Sequence, residues 1–131
     1  MKKESFQVLR DKYPQQFEHL KRIECGDGWY DLIDNLCSTI QSHLDRNKEI
    51  KFCWLQIKEK FSALRAYAEG GDDYISGVRD MAEAMSCHIC EYSGEKGKLR
   101  NKKRKENNEI VFAWNKTLSD KEAEKEGYVV E

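Results

Sequence analysis

The chain has 131 residues, with 23 Lys and Arg against 24 Asp and Glu and a formal net charge of −1. That length suits one domain, and no apolar run reaches the roughly 20 residues of a membrane span. Charged residues make up 36% of the chain, above the roughly 25% of an average globular protein, and aliphatic residues are few. Near-neutrality argues against disorder, and three Trp and six Tyr supply core volume. The expectation is a small folded domain with a thin core, not a large cavity enzyme.

Five cysteines, Cys25, Cys37, Cys53, Cys87 and Cys90, make an odd count. The opening Met1-Lys2-Lys3-Glu4-Ser5 leads into no hydrophobic stretch. Together these predict reduced thiols in a cytoplasmic protein without an export signal, not a disulfide framework.

In chain order, Phe6, Leu9, Tyr13, Phe17, Leu20 and Ile23 recur mostly every third or fourth residue. Pro14 interrupts the stripe, which predicts two short helical pieces. Cys25-Gly26-Asp27-Gly28 reads as a turn. After it, Trp29, Leu32, Ile33, Leu36, Cys37, Ile40 and Leu44 hold one face of a helix apolar. Asp27 and Asp31 suit its positive start, and Arg46 and Lys48 its end. Ile50–Ile57 is aromatic and β-rich and reads as a buried strand. Lys58–Glu69 is open between helix, by propensity, and strand, by the alternation of Leu64, Ala66 and Ala68. Gly70-Gly71 ends it, and Asp72 or Asp73 caps a second amphipathic helix carrying Ile75, Val78, Met81, Ala82, Met85 and Ile89. Ile110–Trp114 reads as a strand, and the acidic tail from Ser119 favours helix as far as Gly127. Trp29, Trp54, Phe61, Tyr67, Phe112 and Trp114 are read as core, with one or two available as interface anchors.

Two segments carry candidate chemistry. Cys87-His88-Ile89-Cys90 could offer two thiolates to a tetrahedral zinc, but no second ligand pair of matching spacing follows. A reactive thiolate would gain from a helix N-terminus, whereas this pair lies near a helix C-terminus. Inert cysteines are the simpler reading, with no cofactor expected. Lys98, Arg100, Lys102, Lys103, Arg104 and Lys105 form the basic pole of the chain and could neutralise phosphates. No aromatic is interleaved to stack on bases, so a solvated hairpin tip is the plainer alternative. No phosphate loop, nucleophile triad or metal motif is present, and no catalytic residue is assigned.

Taken in blocks, the chain resembles a family of small, mostly uncharacterised proteins from bacteriophages, prophages and bacteria. The resemblance spans roughly residues 24–123. It rests on the turn Cys25-Gly26-Asp27-Gly28-Trp29, on Gln56-Ile57-Lys58-Glu59-Lys60-Phe61-Ser62-Ala63-Leu64-Arg65-Ala66-Tyr67, and on two C-terminal blocks. Cys90-Glu91-Tyr92-Ser93-Gly94-Glu95-Lys96-Gly97-Lys98-Leu99-Arg100 is similar to a cysteine knuckle, with Ser93 where a second cysteine would stand. Trp114-Asn115-Lys116-Thr117-Leu118-Ser119 is similar to a helix entry with Ser119 at another cysteine, and Glu122 takes the place of a histidine. The resemblance implies a treble-clef zinc-finger scaffold that has lost its zinc, held by Leu99, Phe112, Trp114 and Leu118. Were metal present, Cys87, Cys90 and Glu122 would be its first ligands. It also tips residues 59–69 toward the second strand of a hairpin.

The resulting expectation is a single α+β domain over residues 1–131, with helices on a small antiparallel sheet. It divides into an N-terminal helical arm (1–24), a helix-hairpin-helix core (25–89) and a degenerate zinc-finger-like module (90–126). The resemblance implies a non-catalytic phage or prophage accessory protein in the bacterial host cytoplasm. It would bind a host protein and blunt a defence system, with no membrane partner. The alternative is nucleic-acid binding through the basic hairpin 98–105.

Overall fold

The computed structural model of the chain describes residues 1–101 and 115–130. The fold is α+β. Helix α1 (Lys3–Lys12) and the long helix α2 (Tyr30–Arg46) precede a hairpin of β1 (Phe52–Lys60) and β2 (Ala63–Gly70). Helix α3 (Asp73–Ser86) follows, then a small hairpin of β3 (Lys98–Arg100) and β4 (Lys116–Leu118), and the short helix α4 (Asp120–Lys125). Both strand pairs are antiparallel.

Only one helix forms in the N-terminal arm. Beyond Tyr13 the chain turns through residues 14–17 instead of starting a second helical piece, as expected where proline removes an N–H donor. Phe17, Leu20 and Ile23 are still buried, so the apolar spacing serves an irregular arm that wraps the core. The alternation of Leu64, Ala66 and Ala68 proves to be a strand. A two-residue turn at Phe61 and Ser62, with φ of 52° and 68°, joins β2 to β1. Two successive positive φ values are what a tight hairpin turn of matching twist demands.

A two-stranded sheet is marginal alone, and here both its edges are covered. On the β1 side, the Trp54 amide donates to the Gln16 carbonyl at 2.8 Å, the Glu24 amide to Ile57 at 2.9 Å and the Glu59 amide to Glu24 at 3.0 Å. On the β2 side, side chains of α3 take over. Ser86 Oγ accepts from the Leu64 amide at 2.9 Å, Glu83 accepts from the Ala66 amide at 3.3 Å, and Arg79 donates to the Ala66 carbonyl. Strand addition from another chain therefore has little open edge to use.

The main core runs from Phe6 to Ala82 around Trp29, Trp54 and Phe17, each fully buried. Gln16 is buried among these rings and is satisfied. Its side-chain oxygen accepts from Trp54 Nε1 at 3.1 Å, and its nitrogen donates to the Cys37 carbonyl at 2.9 Å. Phe61 and Tyr67 depart from the core reading. They are 60% and 43% exposed, Phe61 because it sits at the hairpin tip and Tyr67 because it points away from the packed face. Leu99 is likewise 58% exposed and holds no core. Phe112, Trp114 and the strand expected at 110–114 lie outside the described residues.

Candidate functional site

The C-terminal module docks through the glycines of the Gly26–Trp29 turn. A Cβ on Gly26 would lie 2.4 Å from the Glu91 carbonyl oxygen, and one on Gly28 would lie 2.2 Å from that of Cys90. Bare backbone lets the two segments touch, and the Gly28 amide donates to the Glu91 carbonyl at 2.7 Å. Trp29 Nε1 donates to the Ile89 carbonyl at 2.8 Å. The buried Glu91 carboxylate accepts from the Gly26 amide at 3.0 Å and from Lys116 Nζ at 3.2 Å. Lys116 also reaches Glu59 at 3.4 Å. Burial works against the Lys116 ammonium, but Glu91 and Glu59 outweigh it and hold its pKa above the usual lysine value. This cluster joins parts of the fold and leaves no group free for chemistry.

Among the cysteine-knuckle residues, Cys90 is buried and Cys87 is exposed just beyond α3. Burial raises the Cys90 thiol pKa. Hydrogen bonds from the Ser93 side chain and from the Ser119, Ser93 and Tyr92 backbone more than reverse this and leave it lowered. Ser119 Oγ in turn caps α4 by accepting from the Glu122 amide at 3.2 Å. Cys90, Ser93 and Ser119 thus meet around one sulfur whose neighbours are hydrogen-bond donors. Ser93 and Ser119 offer hydroxyls, whereas a closed zinc site takes thiolates or imidazoles, so these residues do not fit one. No group of three or more His, Cys, Asp or Glu among the described residues could hold a metal ion. Elsewhere, burial first and Glu91 second push the Cys25 thiol up to about 12, and burial raises Cys37 as well.

The basic pole is not a continuous surface where it can be followed. Lys98 is exposed, but Arg100 is 4% exposed. Its guanidinium donates to the Leu118 carbonyl at 3.1 Å and pairs with Asp120 at 2.5 Å. Arg100 is thereby spent on joining β3 to α4, which corrects its assignment to a binding surface. Lys102, Lys103, Arg104 and Lys105 lie outside the described residues.

Among the described residues an open concave surface lies between α2 and α3. These helices run antiparallel. Trp29 at the start of α2 bonds Ile89 beyond α3, and His43 near the end of α2 meets Asp72, the N-cap of α3, at 2.7 Å. Between them is a groove of about 720 Å³. Leu32, Leu36, Val78, Met81, Met85 and Ile89 form its apolar walls. Met81 and Met85, expected on the core face of α3, are 63% and 46% exposed. The side of α3 that packs inward instead uses Ile75, Ala82 and Ser86. Gly77 lines the groove on the exposed side of α3, where an added Cβ would meet nothing within 4 Å. A mid-helix glycine costs about 1 kcal/mol relative to alanine, and no packing contact requires it. The apolar spacing of α3 marks one ordinary stripe, so the exposure of Met81 and Met85 had no signal in the sequence. Comparison with protein-family models, with curated proteins and with solved structures returns no match to this chain.

Proposed function

We propose that the protein is a non-catalytic binding protein that engages another protein through the α2–α3 groove. One observation carries this reading: an unfilled apolar groove, rimmed by polar residues and walled by exposed methionines. Surfaces of this kind mark interaction sites, and methionine adapts its shape to a partner. The resemblance to phage and prophage proteins supports a role as an accessory factor in a bacterial host cytoplasm, with a host defence component as the target. The hydrogen bonds gathered on Cys90 support the reading of residues 90–126 as a zinc-finger scaffold kept without its metal. A nucleotide sponge fits less well, because phosphates entering the groove would meet Asp31 and Asp73.

Affinity capture from bacterial lysate tests the proposal, run with and without nuclease on the wild type and on Met81→Glu. The expected result is a nuclease-resistant protein held by the wild type and lost by the variant. Identical capture by both proteins would sink the groove reading. Capture that disappears with nuclease would transfer the function to nucleic-acid binding, with Lys98 and the basic run beyond it as the surface.

A further inference from the structure

We infer that the groove takes a basic amphipathic helix of another protein, an inference that rests on the groove being the binding surface. Charge points to the sign of the partner. Among the described residues, the charged ones lining the groove are Asp31 and Asp73, and none is basic. Asp31 sits in the first turn of α2 and Asp73 in the first turn of α3. Because the helices are antiparallel, the two carboxylates stand toward opposite ends of the groove. An apolar segment with Lys or Arg near both ends meets both.

Shape points to a helix. From Asp73 to Met85 the lining of α3 extends about 18 Å at the helical rise of about 1.5 Å per residue. That length matches roughly three turns, enough for anchors at i, i+3 or i+4, and i+7. A third helix laid between two antiparallel ones packs as in a small bundle. Gly77 removes the side chain that would otherwise hold such a helix away. An extended strand has less to gain, since both edges of the β1–β2 sheet are engaged by the N-terminal arm and by α3. Self-pairing through this face would bring acidic rim against acidic rim, because a two-fold contact uses the same patch twice.

The test uses three synthetic peptides about 14 residues long, a length set by the α3 lining and the helical rise. One is an amphipathic helix with Leu and Met anchors and a Lys/Arg polar face. The second carries the same anchors with a Glu polar face, and the third is a scrambled basic peptide that lacks an apolar stripe. Fluorescence anisotropy is read at low and at physiological salt. The basic amphipath is expected to bind, and the other two to bind at least tenfold more weakly, on the order of one hydrophobic face or one charge reversal. Asp31→Asn and Asp73→Asn should each weaken it about two- to fivefold, less at high salt. Gly77→Leu, an exposed helical change that favours folding, should abolish it. Equal binding of the acidic and basic amphipaths, abolished by Gly77→Leu, overturns the charge inference but leaves the groove standing. Binding of the scrambled peptide, or of none, overturns the helix inference, while the fate of the groove is read separately from the Met81→Glu capture. Dimerisation through the groove, lost on Gly77→Leu, overturns it as well.

Discussion

From Phe6 to Ala82 the chain closes one continuous apolar cluster, whereas among the described residues the C-terminal module gathers a separate one of Cys90, Leu118, Ala123 and Tyr128. The first region can hold itself by burial, at about 25 cal/mol per Å² of apolar surface. The second is fastened to the first by polar bonds. Thr117 Oγ1 donates to the Ser62 carbonyl at 2.7 Å, Lys116 bridges Glu59 and Glu91, and the Gly28 amide donates to the Glu91 carbonyl at 2.7 Å. Burial thus dominates the first region, and polar bonds dominate the joint between the two.

The largest expected effect breaks the larger region. Trp29 is fully buried and also donates to the Ile89 carbonyl, next to the module. Trp29→Ala should cost about 3–5 kcal/mol, as large-to-small core changes do, against a total of about 5–15 kcal/mol for a typical domain. Denaturant unfolding monitored by circular dichroism measures it. A loss under about 1 kcal/mol, the scale of a surface change, would remove Trp29 from the core.

A smaller loss should stay local. Leu118 is fully buried in the minor cluster, and Leu118→Ala should cost about 2–3 kcal/mol. Hydrogen exchange should then rise in residues 90–100 and 116–128 while α2 amides remain protected, as sub-global opening allows. Equal loss of protection in α2 would show that the two regions unfold as one unit. Glu91→Gln probes the joint itself and should cost about 1–3 kcal/mol, because Lys116 loses its buried partner. A double-mutant cycle with Lys116→Met isolates the pair, and zero coupling would place the fastening on the backbone bonds instead.

Much of the larger region is readable from residue spacing. The stripe from Trp29 to Leu44 gives α2, and Asp72 before Ile75 gives the start of α3. Three features escape that reading for physical reasons. Phe17 and Leu20 keep helical spacing yet lie outside any helix, since tertiary burial overrides a period that proline has broken. Met81 and Met85 share a stripe with Ala82, and spacing cannot say which of two adjoining faces meets the sheet and which is left open. Arg100 reads as one more charge in a basic run, and its pairing with Asp120 depends on chain contacts twenty residues apart in sequence. Spacing therefore gave the apolar stripe of α3 but not the candidate site, because a groove needs the partner wall of α2.

The smallest expected effect separates the two regions by acid. Asp72 belongs to the larger one, where its carboxylate accepts from the Ile75 amide at 3.1 Å and meets His43 at 2.7 Å. The His43 hydrogen bond, then the Ile75 amide, hold its pKa below the usual carboxylate value. Asp120 belongs to the smaller region, and the Arg100 hydrogen bond depresses it likewise. An unfolded aspartate titrates near about 3.9. With a lower folded value, the unfolded chain takes up the proton first as pH falls. The contribution of each carboxylate is therefore complete above about pH 4, by the unfolded value, and is lost as pH drops through the folded one. Hydrogen exchange between about pH 3 and pH 5, corrected for intrinsic rates, brackets that window. Asp72→Asn should flatten the acid sensitivity of α2 and α3 while leaving β4 and α4 sensitive, since asparagine still caps the helix. Asp120→Asn should do the reverse. If Asp72→Asn changes neither region, the acid limb of the larger one belongs to Asp34, where the Lys12 hydrogen bond overcomes the opposing effect of burial.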